Sequence, residues 1–345
     1  MTKKTLFKLT LLSVLFAGVV VVLGAFTRLV DAGLGCPDWP GCYGHLLWPN
    51  SADEVARAEA IFPEAPVEHD KTWPEMVHRY FAALLGLIII FLCAFMLRYK
   101  KQSQDMSAPV KLIFGLLFLV ILQGAFGAWT VTLKLWPQVV TAHLLGGFTT
   151  LSLLWLLVQR LSRWHWSAGQ GSYLAIQSLK PWAMAALVLV VLQITLGGWT
   201  STNYAALACA DLPKCHGEWW PQADFAQGFN IFQQVGPNYL GGLLDNHART
   251  AIHLMHRIGA VVVTLFMLFF IWQLFRLPHC TAAKRWAVIL LVVLIAQISL
   301  GLSNVYFALP LWVAVAHNAF GAVLLLTLVS INHRLRTARL EREPS

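Results

Sequence analysis

Charge is what this sequence has least of. Asp, Glu, Lys and Arg make up 12% of its 345 residues and apolar types 58%, where an ordinary soluble domain is about 25% charged. So few charges cannot coat a water-facing surface, which excludes a soluble enzyme. Acids are scarcer than bases, 16 against 25. The resulting net charge of +9 sits in short connections between apolar segments, so it does not point to a nucleic-acid partner. An Arg- and Ser-rich, acid-poor leader, the mark of organelle import, is also missing. What these absences leave is an all-α, multi-span integral membrane protein, with the bacterial inner membrane as its expected address.

Long charge-free runs give the spans, because a helix crossing the hydrocarbon needs about 20 apolar residues and an ionised side chain near its centre is costly. Residues 9–27, 80–97, 112–133, 135–159, 181–210 and 258–275 carry no Asp, Glu, Lys or Arg, and a seventh run covers 286–333. As one helix the last run would be about 72 Å long against a core of about 30 Å, and Pro310 lies near its middle. It is read as two helices. Eight spans are predicted, near 8–30, 75–98, 110–132, 138–160, 181–203, 252–276, 285–307 and 312–333. The first run exceeds the apolar stretch of a signal peptide and is expected to stay as span 1. The N-terminal tail, the 98–111, 160–180 and 276–285 connections and the C-terminal tail hold 17 of the 25 bases, among them Lys100, Lys101, Arg163, Lys284 and Arg336. Both termini are therefore predicted to be cytoplasmic.

The chain repeats itself. GAFTRLVDAGLGCPDWPGC at 24–42 and GGWTSTNYAALACADLPKC at 197–215 agree, at a shift of 173, at Gly24/Gly197, Thr27/Thr200, Leu34/Leu207, Cys36/Cys209, Asp38/Asp211, Pro40/Pro213 and Cys42/Cys215. VHRYFA at 77–82 matches MHRIGA at 255–260, and QGAFG…TAHLLGG at 123–147 matches QISLG…VAHNAFG at 297–321. An even number of spans per repeat keeps both copies in one orientation. The expected architecture is two tandem four-helix bundles, 1–165 and 166–345, related by a pseudo-two-fold axis along the membrane normal.

Four histidines fall inside spans at matching places: His78, His143, His256 and His317, each on an even-numbered span and four to six residues past its predicted outer end. A lone intramembrane imidazole is usually just hydrogen-bonded to a neighbouring helix. Two per bundle on facing helices are what a cofactor site in a helical bundle needs, and two imidazoles suit the axial positions of a haem iron. A bare zinc ion would want Asp, Glu or Cys at the same depth, and none is there. Two haem sites toward the outer face are predicted. Arg79 and Arg257 follow two of the histidines and either pair with haem propionates or snorkel to the interface.

The halves differ three residues before the first histidine, where Glu75 stands in one and His253 in the other. Either Pro74–Glu75 merely opens the helix, or Glu75 points into the first site and marks it as the reactive one. Cys36 with Cys42 and Cys209 with Cys215 each close a short outer loop, in a compartment that permits disulfides. Structural staples are the favoured reading and redox-active thiols the other, above all for Cys36 and Cys42.

Together GLGCPDWPGC at 33–42, EMVHR at 75–79, TAHLLGG at 141–147, the Cys209/Cys215 loop, LMHRIGA at 254–260 and AHNAFG at 316–321 make the chain resemble the heme A synthase family over nearly its whole length. The resemblance implies an oxidoreductase of cytochrome oxidase assembly that converts heme O to heme A, oxidising the C8 methyl to a formyl group. It implies substrate heme O between His78 and His143, resident heme b between His256 and His317, and Glu75 as the acid of the first site. Implied partners are membrane lipid, heme O synthase, an electron donor and a second copy of the chain. The residues alone are equally met by a bis-histidine di-haem electron-transfer cytochrome b. A transporter would want charged or broken helices at the midplane, which these spans lack.

Overall fold

The computed structural model describes residues 2–103, 105–162 and 164–340; Arg163, counted above among the cytoplasmic bases, lies outside them. Eight helices are long and apolar enough to cross a membrane: span 1, Lys3–Leu29; span 2, His69–Ser103; span 3, Val110–Thr132; span 4, Pro137–Leu161; span 5, Lys180–Thr202; span 6, Asn246–Phe275; span 7, Thr281–Tyr306; and span 8, Leu311–Arg336. Among the described residues the only sheet is a parallel pair of two-residue strands, Ser167–Ala168 with Arg339–Leu340.

Spans 2 and 6 begin six residues earlier than the hydropathy suggests. Their first turns, HDKTW and NHART, are mostly polar. Asp245 caps span 6 by accepting the Ala248 N–H at 2.9 Å. Pro74 accordingly stands inside span 2, so Pro74–Glu75 does not open that helix, and Glu75 is 4% exposed. His78 and His256 also lie nine and ten residues past their helix starts, about 14–15 Å. That is deeper along the helix than expected, whereas His143 and His317 keep the expected place six residues in.

Spans 1 to 4 pack in a closed ring, each against the next and span 4 back on span 1, and spans 5 to 8 do the same. The rings touch where span 4 meets span 5, span 1 meets span 8, and spans 4 and 8 meet each other. Small buried residues such as Ala17, Ala183, Ala186 and Ala287 allow close helix approach. Polar bonds fasten this seam: the Trp155 indole donates to Ser330 Oγ at 2.7 Å and Arg334 to Gln159 Oε1 at 2.6 Å; within the second ring Asn332 donates to the Ala183 carbonyl at 2.8 Å. Large apolar side chains at Leu15, Phe91, Phe118, Ile121, Leu265 and Val292 are exposed on the outside of the rings, as a lipid-facing surface requires.

The segment 216–245, between spans 5 and 6, straps onto the other ring. Gln138 donates to the Ile231 carbonyl at 2.9 Å, Trp136 to that of Gln233 at 3.2 Å, and the Tyr239 N–H to the Lys134 carbonyl at 3.0 Å. In the loop after span 1, helix Ala52–Ile61 is closed by a Ser51/Glu54 capping box.

Candidate functional site

Each of the four histidines meets a glycine on the odd-numbered span before its own. A Cβ added at Gly24 would stand 2.8 Å from Cε1 of His78, at Gly127 3.6 Å from that of His143, at Gly197 3.2 Å from that of His256, and at Gly301 3.1 Å from that of His317. The missing side chains let the rings lie against the neighbouring backbone. From the sequence, Gly127, Gly197 and Gly301 fit helix packing and contact with a flat cofactor equally well, and Gly24 is marked only as the repeat partner of Gly197.

All four imidazoles are half-buried, and His78 lies within electrostatic reach of His143, as His256 does of His317. Nδ1 of His78, His143 and His317 is buried with no hydrogen-bond partner in the protein. A buried polar atom so left costs free energy unless something pairs with it or with its ring. His256 differs: Gln193 Nε2 stands 3.1 Å from its Nδ1 and donates to its backbone carbonyl at 2.9 Å.

Above each ring sits a disulfide loop, Cys36–Cys42 in the first half and Cys209–Cys215 in the second, while Cys93 and Cys280 are free and buried. The loops are closed alike. Asp38 accepts the N–H groups of Tyr43 and Gly44 at 2.6 and 2.8 Å, and Asp211 those of His216 and Gly217 at 2.8 and 2.9 Å. The Gly217 and His216 amides hold the Asp211 carboxyl below its ordinary pKa. Burial, reinforced by Glu68, Glu59 and further acids, pushes the Tyr43 hydroxyl up to about 12, and it donates to the Pro66 carbonyl at 3.0 Å.

Both arginines grip these loops. Arg79 donates to the carbonyls of Asp38 and Gly41 at 3.0 and 2.7 Å; Arg257 donates to those of Asp211 and Lys214, both at 2.9 Å. Beneath them Glu75 Oε2 accepts the Cys36 N–H at 2.9 Å, and Oε1 pairs with Arg79. A Cβ at Gly35 would strike the Lys71 backbone, so glycine there is what lets the loop approach Glu75. In the second half His253 Nδ1 accepts the Cys209 N–H at 3.1 Å, and Arg257 Nε lies 3.3 Å from its Nε2. A neutral imidazole has one acceptor nitrogen, so His253 satisfies one of these donors where the Glu75 carboxylate satisfies both.

The predicted site residues thus gather as two clusters. His78, His143, Glu75, Arg79 and the first disulfide belong to spans 1–4; His256, His317, Arg257 and the second disulfide belong to spans 5–8. Among the described residues, no three His, Cys, Asp or Glu side chains converge as for a bare metal ion.

Fold and site together define a helical membrane protein with two imidazoles inside the spans of each half, beneath disulfide loops at one end of the helices. Residues 7–329 match the family model COX15-CtaA, described as cytochrome oxidase assembly protein, and the chain belongs to that family. It is 46% identical over 324 residues to the heme A synthase of Shewanella oneidensis, covering 94% of both chains. It is 29% identical over 341 residues to that of a Caulobacter species, covering 92% of each. To the heme A synthase of Halalkalibacterium halodurans it is 27% identical over 318 residues, covering 91% of this chain and 92% of the relative.

Proposed function

We propose that this chain is an oxidoreductase that converts heme O to heme A, oxidising the C8 methyl group to a formyl group by two successive hydroxylations and loss of water. The observation that carries the reading is the set of four intramembrane imidazoles, two per half, three of them with a buried nitrogen that no protein group satisfies. The 46% identity to a heme A synthase supports it independently.

The residues fit haem: two imidazoles per half would hold its iron, and the glycines leave room for a flat ring system close to the helices. Substrate heme O goes to the first half, 1–165, between His78 and His143. In the second half, 166–345, His256 and His317 would hold a resident heme b, which would supply a one-electron redox centre. Glu75 fixes a negative charge one turn before His78, held in orientation by the Cys36 amide and Arg79. Substrate orientation, proton handling and steadying of developing positive charge all call on such a group. Arg79 and Arg257, tied to loop carbonyls, place positive charge at the rim where propionates reach water.

The halves are related by a pseudo-two-fold axis along the membrane normal. Matching contacts between span 4 and span 5 and between span 8 and span 1 support it, since a two-fold makes equivalent surfaces meet. The distribution of Lys and Arg supports cytoplasmic termini, and with them haem sites toward the periplasmic side of a bacterial inner membrane. Heme O would come from a heme O synthase, and reducing equivalents from a separate donor.

A di-haem electron-transfer cytochrome would need two equivalent sites, and the exchange of Glu75 for His253 disfavours it. The deciding experiment is extraction of the pigments from protein purified with a heme O source present. Protohaem together with farnesylated haem is expected; protohaem alone under every condition would point to the cytochrome.

A further inference from the structure

The glycines that cradle the four rings are preceded, one turn earlier on the same helix face, by a second repeated position. It is Gln123 before Gly127, Gln193 before Gly197 and Gln297 before Gly301, but Val20 before Gly24. The glutamines work toward the histidine-bearing helices. Gln193 reaches Nδ1 of His256 at 3.1 Å, Gln297 Nε2 stands 3.5 Å from Nε2 of His317, and Gln123 packs on Gly146, just past His143. Val20 is 8% exposed and part of the apolar core. It brings no polar atom of its side chain to His78; its backbone carbonyl lies near that ring, yet His78 Nδ1 has no hydrogen-bond partner.

We propose that residue 20 sets how firmly His78 is held. By carrying valine where span 5 carries glutamine, the chain leaves His78 without the side-chain amide that holds its counterpart His256, and so makes the first site, whose two imidazoles both lack such a contact, the one that admits and releases its porphyrin. The inference rests on the haem reading above and deepens it. A side-chain amide within reach of an imidazole restricts rotation of the ring and opposes its departure from a metal. His256 has two contacts from Gln193, and its counterpart His78 has none from residue 20's side chain. Glu75 stands one turn from His78, so the acid and the exchangeable ligand belong to the same site. Val20 and Gln193 are positioning residues, acting only through the histidines.

Carbon monoxide binding to the ferrous protein tests this, because the ligand reports a haem whose axial histidine can leave. Protein co-expressed with a heme O source is compared with V20Q and Q193V, the latter copying the first half into the second. In the wild type the CO-reactive haem is expected to be the farnesylated one. In V20Q its CO-reactive fraction falls about three- to tenfold, the factor one neutral hydrogen bond carries, and more farnesylated haem stays bound through purification. In Q193V the protohaem site becomes CO-reactive and loses haem more readily. Q193V carries the test independently should V20Q fail to assemble. Two loaded haems with unchanged CO reactivity in both variants would overturn this proposal alone, while wild-type protein without any haem would overturn the reading beneath it as well.

Discussion

Glu75 and His253 occupy the same place in the two halves and receive the same bond: Glu75 accepts the amide of Cys36 at 2.9 Å, and His253 that of Cys209 at 3.1 Å. Each lies four residues before an arginine that grips the disulfide loop above it. The acid of the first half therefore supports the disulfide loop and, three residues before His78 on the same helix, brings a carboxylate to the site. A substitution at position 75 must be read for both effects.

Glu75→Ala leaves the Cys36 amide without its acceptor and Arg79 with only its loop carbonyls, a loss of about 1.5–3 kcal/mol for a hydrogen bond to a charged group. Glu75→His restores a loop acceptor but not the charge. Both variants are expected to retain heme b and to make no heme A, measured by pigment extraction. Full activity in Glu75→His would show that only the loop support matters.

His256→Ala and His317→Ala each remove one predicted axial ligand of the resident haem. Protohaem content should fall several-fold in either, read from the reduced-minus-oxidised spectrum, while His78→Ala should lower the farnesylated haem instead. The reverse pattern would exchange the roles of the halves.

The glycine cradles give a graded test. Gly24→Ala would place a methyl carbon 2.8 Å from the His78 ring, where something must shift, whereas Gly127→Ala meets His143 at an ordinary 3.6 Å. Gly24→Ala is expected to lose more bound farnesylated haem than Gly127→Ala. Equal losses would mean that the cradles do not position the rings.

Much of this was legible in the sequence, and what was not has definite causes. The eight spans follow from hydrophobic length, but the outer turns of spans 2 and 6 were missed because hydropathy ends where the helix leaves the hydrocarbon, and only a cap such as Asp245 marks the true start. The histidines were visible because they recur at matching places. The arginines were read as facing propionates or water; the structure sets them on loop carbonyls, a pairing that depends on how the disulfide loop folds back and that residue spacing does not encode. Gln123, Gln193 and Gln297 recur too, but a polar residue in a span acquires meaning only once its neighbour across the helix interface is known.

At the seam, Arg28 donates to the Ser201 carbonyl at 2.5 Å and stacks 4.2 Å above the Tyr204 ring, whose hydroxyl donates to Asp31 at 2.8 Å. Arg28 and Ser201 are 173 residues apart, the shift of the repeat itself, so equivalent positions meet each other. Arg28→Ala should lower the thermal midpoint of the detergent-solubilised protein without changing its haem composition. An unchanged midpoint would remove this contact from the account.

The second disulfide loop carries a pH signature. The Asp211 carboxyl is held below its ordinary pKa by the Gly217 and His216 amides, so its contribution is present above the unfolded value of about 3.9 and fades as pH falls through the lower folded value. Reduction of Cys209–Cys215 by a phosphine should accelerate as pH drops below about 4, and Asp211→Asn should be fast already at neutral pH. A rate flat with pH would contradict this.

The most direct measurement is mass analysis of the haems in cells that make heme O, with and without this chain. The account expects a species carrying a formyl group in place of the C8 methyl only when the chain is present, and its loss in Glu75→Ala. Heme O left unconverted by an intact, haem-loaded protein would contradict the central claim.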